Sequence, residues 1–133
     1  MRVAVDVTDE RIGCLLCGAF ESGPAGSPWA RIMDYREPEG PVTPALGGDR
    51  VYRHIDYPLA AGGAVVVRDC YAGDESDAEY TALTLDREAC ERGLILMAQK
   101  SPRHWGDFLA EDDDAITADI FLQYALLGDV VYG

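Results

Sequence analysis

Little in this chain spells out a reaction. Its 133 residues hold no G-x-G-x-x-G, no Walker loop, no H-E-x-x-H and no G-x-S-x-G. The phosphate cradles, zinc-hydrolase helices and serine elbows built on those spacings therefore have no counterpart here. No apolar run approaches the roughly 20 residues that cross a bilayer. The opening MRVAVDVTDE has no apolar core behind its positive charge, which reads as no signal peptide and an intracellular protein. Lysine occurs once, at Lys100, and histidine twice, at His54 and His104. Two histidines without a clear nucleophile argue against an enzyme. An acid–base pair would need His54 with Asp56, or His104 with Asp107.

Bases are also few. The chain carries 11 Lys and Arg against 24 Asp and Glu, a formal net charge of −13. The imbalance is uneven: residues 1–71 hold 10 acids and 7 arginines, residues 72–133 hold 14 acids and 4 bases. Such a field repels nucleic acid and membrane at long range. It suits either simple solubility or a basic partner protein. Ten of the 11 bases are arginine, the side chain fitted to bidentate phosphate contact.

Cysteine is scarce: Cys14, Cys17, Cys70 and Cys90. A non-secreted chain keeps these as thiols by default. Cys14 and Cys17 make a C-x-x-C, but it falls mid-helix among leucines rather than at a helix start after a strand, where a redox pair belongs. A four-thiolate zinc site would need a second close pair, and Cys70 and Cys90 are 20 residues apart. The run Asp112, Asp113, Asp114 fails as a calcium loop, since Ile116 and Gln123 fall where ligands are required and no glycine stands at the sixth position. It reads instead as helix capping. Nothing asks for a metal or cofactor.

What the chain does have is local structure. Alternation over residues 1–7 predicts a strand, and Thr8 caps a helix with apolar positions at Ile12, Leu15, Leu16, Ala19 and Phe20. Gly23 and Pro24 end it. Residues 29–36 alternate imperfectly and read as a strand. Residues 37–49 hold three prolines and three glycines and read as a long connection. Residues 50–57 and 64–71 read as a hairpin across the turn at 60–63, and residues 72–79 as an acidic loop. A short extended piece over 80–83 follows. The last third carries three helices, at about 86–100 (capped by Thr84 or Asp86), 102–110 and 115–127, with a stop at Gly128 and a terminal strand over 130–132. Trp105, Phe108 and Leu109 are the expected buried residues of the second. Gly93 is expected to let its helix approach the sheet closely. The third helix is apolar on more than one face (Ile116, Ile120, Phe121, Tyr124, Leu126, Leu127), which predicts a central helix or one shared with a second subunit. The pattern predicts one α+β domain over residues 1–133: an antiparallel sheet of three to five strands with an N-terminal helix and three C-terminal helices packed on it.

The candidate site is a set of arginines interleaved with aromatics. Trp29, Arg31 and Arg36 share one segment, Arg53 and His54 a second, and Arg103, His104 and Trp105 a helix start. Aromatic faces stack on bases, and arginines hold phosphates. In a chain this acidic, such groups suit a small enclosed nucleotide rather than a polymer. The bland alternative is that the aromatics fill the core and the arginines pair with surface acids.

Three stretches together resemble a family of small phage and prophage proteins. They are CGAFESG from Cys17 with Trp29 following, HIDYPLAAGGAVV from His54, and the block from Leu83 containing GLILM, EDDDAITADIFLQ and the closing YG. The family has an AFEGGSNYW-like stretch where this chain has ESGPAGSPW. The resemblance implies a cytoplasmic counter-defence protein of the infected bacterial host. Its expected form is a homo-oligomeric sponge that sequesters a cyclic-oligonucleotide or cyclic ADP-ribose type immune signal without cutting it. The alternative it implies is an acidic nucleic-acid mimic or protein-binding inhibitor of a host defence complex, of the anti-CRISPR or anti-restriction kind.

Overall fold

The structure, a computed structural model, describes residues 5–72 and 81–133. The fold is α+β. Helix α1 (Asp9–Glu21) leads, through a 3-10 turn at Gly23–Ala25, into strand β1 (Ala30–Arg36). A short helix α2 (Arg53–Asp56) and the turn Tyr57–Leu59 precede β2 (Ala64–Asp69) and β3 (Ala82–Leu85). Helices α3 (Arg87–Lys100), α4 (Pro102–Leu109) and α5 (Ala115–Leu127) complete the chain. The sheet is antiparallel in the order β1-β2-β3. Its core face is set by alternation: Val65 and Val67 on β2 and Leu85 on β3 are fully buried.

The helices start where the capping residues predict. Thr8 Oγ1 accepts from the Arg11 N–H, Asp86 from Ala89 and Asp114 from Thr117. Gly128, at φ 76°, closes α5 in the left-handed conformation. The acidic run is spent on structure: Asp114 is a cap, and Asp113 pairs with Arg11, which also donates to the Phe108 carbonyl at 2.8 Å. On α4, Phe108 is buried, Trp105 only half-buried, and Leu109 is exposed.

Several expectations are corrected. Residues 50–57 form no strand, and β2 pairs instead with β1 on one side and β3 on the other. Asp56 decides this. Its two carboxylate oxygens accept the N–H groups of Ala45 and Tyr52, each at 2.7 Å, which folds the segment on itself and turns Ile55 into the core. A short acid that bonds neighbouring backbone offers an alternative to a sheet ladder. Residues 5–7 are not in a strand, and residues 1–4 lie outside the described residues. Most of the acidic loop, and Tyr80 of the extended piece, also lie outside them. Residues 130–132 join no strand: the N–H groups of Val131 and Tyr132 go to Gln123 Oε1 at 2.8 and 2.9 Å.

Helix α5 is the centre of the fold. Thr117, Ala118, Phe121, Leu122, Gln123, Tyr124 and Ala125 are all buried. It packs between α1 and α3, closest at two glycines. A Cβ on Gly18 would meet Ala118 Cβ at 2.9 Å, and one on Gly93 would meet Ala125 Cβ at 2.8 Å. Gly93 thus admits α5, not the sheet. The central-helix reading of α5 holds for Phe121 and Tyr124, which are buried, whereas Ile120, Leu126 and Leu127 are half-buried and Ile116 is 58% exposed.

Candidate functional site

An open groove of about 740 Å³ runs between the C-terminal end of α1, the start of β1, α2 and the end of β2. Phe20 and Glu21 come from α1, Arg31 from β1, His54 from α2, and Cys70 and Tyr71 from the end of β2. Tyr71 is 55% exposed, so its ring is open to a ligand. It meets Tyr132 edge-on at 5.2 Å. Phe20 contacts His54 edge-on at 6.2 Å.

Glu21 anchors one wall. Its Oε2 lies 3.0 Å from His54 Nε2. Hydrogen bonds from His54 and from the Cys17 thiol hold its carboxyl below the usual range. Burial, helped by that bond to Glu21, pushes the Cys17 thiol up to about 11. Burial likewise pushes Cys90 up to about 12. Both are thiols rather than thiolates at neutral pH, and so poor nucleophiles. Among the described residues no group of three His, Cys, Asp or Glu is placed to hold a metal ion.

Of the candidate residues, the fold brings Arg31 and His54 to one groove and disperses the rest. Trp29 is 1% exposed, and its indole N–H donates to Asp119 Oδ1 at 2.7 Å. It is a core residue and offers no face to a ligand. Arg36 stands at the other end of β1, roughly 17 Å along the strand from Arg31, beside Gly62 and Gly63. Arg53 lies over the Tyr35 ring at 4.3 Å. Arg103 is exposed on α4. His104 Nδ1 lies 3.0 Å from Thr117 Oγ1, tying α4 to α5. Trp105 stacks on Phe108 and borders a separate apolar groove with Val5 and Ile95. The segment 103–105 therefore does not join Arg31 and His54. Neither histidine pairs with the aspartate two or three positions on: His54 takes Glu21 and His104 takes Thr117.

Sequence reasoning missed Glu21 and Tyr71, and placed Phe20 only on the apolar face of α1. Glu21 did carry a signal. It sits in the last turn of α1, where the helix dipole favours a cation and no base is present. An acid there invites a partner, and the partner is His54. Tyr71 carried none, because only the pairing of β1 with β2 brings its segment beside residue 31.

The depressed carboxylates give a pH expectation. Glu21 and Asp114 are both held below their usual values, Glu21 chiefly by His54 and Asp114 chiefly by the Thr117 N–H. A group with a lowered folded-state pKa stabilises above its unfolded pKa, near 4 for a carboxyl, and loses that contribution as pH falls further. Glu21→Gln and Asp114→Asn should therefore flatten the decline in urea midpoint between about pH 5 and pH 3 relative to the unaltered protein. A decline of unchanged slope in the double variant would refute this.

No protein-family model, curated protein or solved structure shows a significant match to the chain. What the fold and groove define is a class: a small acidic α+β protein with an open cleft lined by aromatics, one arginine and a carboxylate-held histidine. No described helix is long and apolar enough to cross a membrane.

Proposed function

We propose that this protein binds and sequesters a small nucleotide in the groove between α1, β1, α2 and β2, and does not transform it. One observation carries the reading. The groove sets two groups that can bind phosphate, Arg31 and His54, within the same cleft as two rings that can stack on a base, Phe20 and the exposed Tyr71. Its volume of about 740 Å³ is in the range of small-ligand pockets. The resemblance to small phage proteins supports a counter-defence role in the cytoplasm of the infected host, with a cyclic-oligonucleotide or cyclic ADP-ribose type signal as ligand. A homo-oligomer is part of this proposal, and the exposed Ile116 of α5 supports a subunit contact there.

The nucleic-acid-mimic alternative has less support. The acids it would present at residues 112–114 are largely committed, Asp113 to Arg11 and Asp114 to the α5 cap.

The test is a thermal-shift panel of cyclic dinucleotides, cyclic ADP-ribose and ADP-ribose. At least one is expected to raise Tm and to be recovered intact after denaturation. Arg31→Ala and Tyr71→Ala should each weaken that ligand about tenfold while leaving the ligand-free Tm within a few degrees. No shift across the panel, or an altered product, would overturn the proposal.

A further inference from the structure

Anion-binding clefts ordinarily exclude carboxylates, because like charges repel across a few ångströms. This groove keeps one. Glu21 lines it with a side chain 50% exposed, and hydrogen bonds from His54 and Cys17 hold the acid in its charged form. An ionised carboxylate offers about four acceptor positions. His54 occupies one of them, on Oε2, which leaves Glu21 able to accept further donors from the solvent side. A phosphate cannot supply those donors. A ribose can, since its 2′-hydroxyl donates to a carboxylate, as it does where an acidic residue reads the sugar of a bound dinucleotide.

Resting on the groove reading above, we infer that Glu21 is the sugar-recognition residue of the site and that the ligand is a ribonucleotide rather than a deoxyribonucleotide. Arg31 and the aromatic rings then hold parts common to both kinds of nucleotide. Glu21 discriminates, by leaving its charge poorly solvated when a hydroxyl is missing. His54 acts on this discrimination as a positioning residue, because its Nε2 fixes the carboxylate at 3.0 Å. The selectivity arises from the lost hydrogen bond to a charged acceptor, the kind of contact worth more than a neutral one.

Calorimetric titration with matched pairs tests this: cyclic di-AMP against its 2′-deoxy counterpart, and ATP against 2′-deoxy-ATP. The ribonucleotide of a binding pair is expected to be about tenfold tighter. Glu21→Ala should bring the two members within about twofold of each other, whatever it does to absolute affinity. Arg31→Ala should weaken both members equally and leave the ratio intact, a pattern that a merely structural role for Glu21 would not produce. If both members of a pair bind the unaltered protein equally, sugar recognition is refuted and the groove reading survives. If neither pair, nor any ligand of the thermal-shift panel, binds, both are lost.

Discussion

Asp119→Ala is expected to lower the unfolding free energy by about 3–4 kcal/mol and Tm by roughly 10–15 °C. One carboxylate ties the entry to β1 to α5, and through Gln123 to the chain end. Its Oδ1 accepts from Ser27 Oγ at 2.6 Å and from Trp29 Nε1 at 2.7 Å, and its Oδ2 from Gln123 Nε2 at 2.9 Å. Ser27, Trp29 and Gln123 are all buried. Gln123 in turn holds the closing residues through the N–H groups of Val131 and Tyr132 and the Tyr132 carbonyl. Tyr132 then donates its hydroxyl to Asp69 at 2.7 Å, at the end of β2. Alanine at 119 would strand the buried Ser27 and Trp29 donors, each costing about 1–3 kcal/mol without a partner, and would take one of two acceptors from Gln123 Nε2. Asp119→Asn keeps one accepting oxygen and should lose about half as much. Urea unfolding followed by tryptophan fluorescence measures both, and a loss under about 1 kcal/mol for the alanine variant would contradict the network.

Gly93→Leu should be comparably damaging, at about 3 kcal/mol or more, although leucine is the better helix former by nearly 1 kcal/mol. A Cβ at residue 93 would lie 2.8 Å from Ala125 Cβ, 3.0 Å from its Cα and 3.1 Å from its N. Two of those neighbours are backbone, so the helices must separate. Gly18 is the informative contrast, because its added Cβ meets only the Ala118 Cβ, at 2.9 Å. Gly18→Ala should be rescued by Ala118→Gly, whereas Gly93→Ala should be only partly rescued by Ala125→Gly. Gly106 meets nothing within 4 Å, and Gly106→Ala should stabilise α4 by about 0.5–1 kcal/mol. Chemical-denaturation midpoints for the set decide the matter. Full rescue at residue 93 would show that the α3–α5 separation is not fixed by backbone contact.

Both predictions involve α5. Its TADIFLQ run proves to combine a buried helix face with two polar side chains, Asp119 and Gln123, that bind the β1 entry and the chain end. The closing YG stretch belongs to the same network through Tyr132. Those residues stood out in the sequence as a motif. Their partners explain why Gln123 can lie inside the core beside the half-buried Asp119: both its amide oxygen and its amide nitrogen are hydrogen-bonded. Trp29 belongs to this network and not to the ligand groove, which is why stacking falls to Phe20 and Tyr71 instead.

The sequence by itself determined the four longer helices α1, α3, α4 and α5 and the α+β class. Those depend on period, capping side chains and turn residues within a few positions of each other, as at Thr8, Asp86, Asp114 and Gly128. Only the tertiary structure decided the partner of β2, the fate of residues 50–57 and the composition of the groove. Strand pairing and side-chain networks join residues far apart in sequence, and no local pattern encodes which will meet. Asp56 overrode the strand pattern of its own segment by bonding Ala45 eleven residues away. Arg31 and Tyr71, 40 positions apart, became neighbours only because β1 lies against β2 from Ala30 with Asp69 to Arg36 with Ala64.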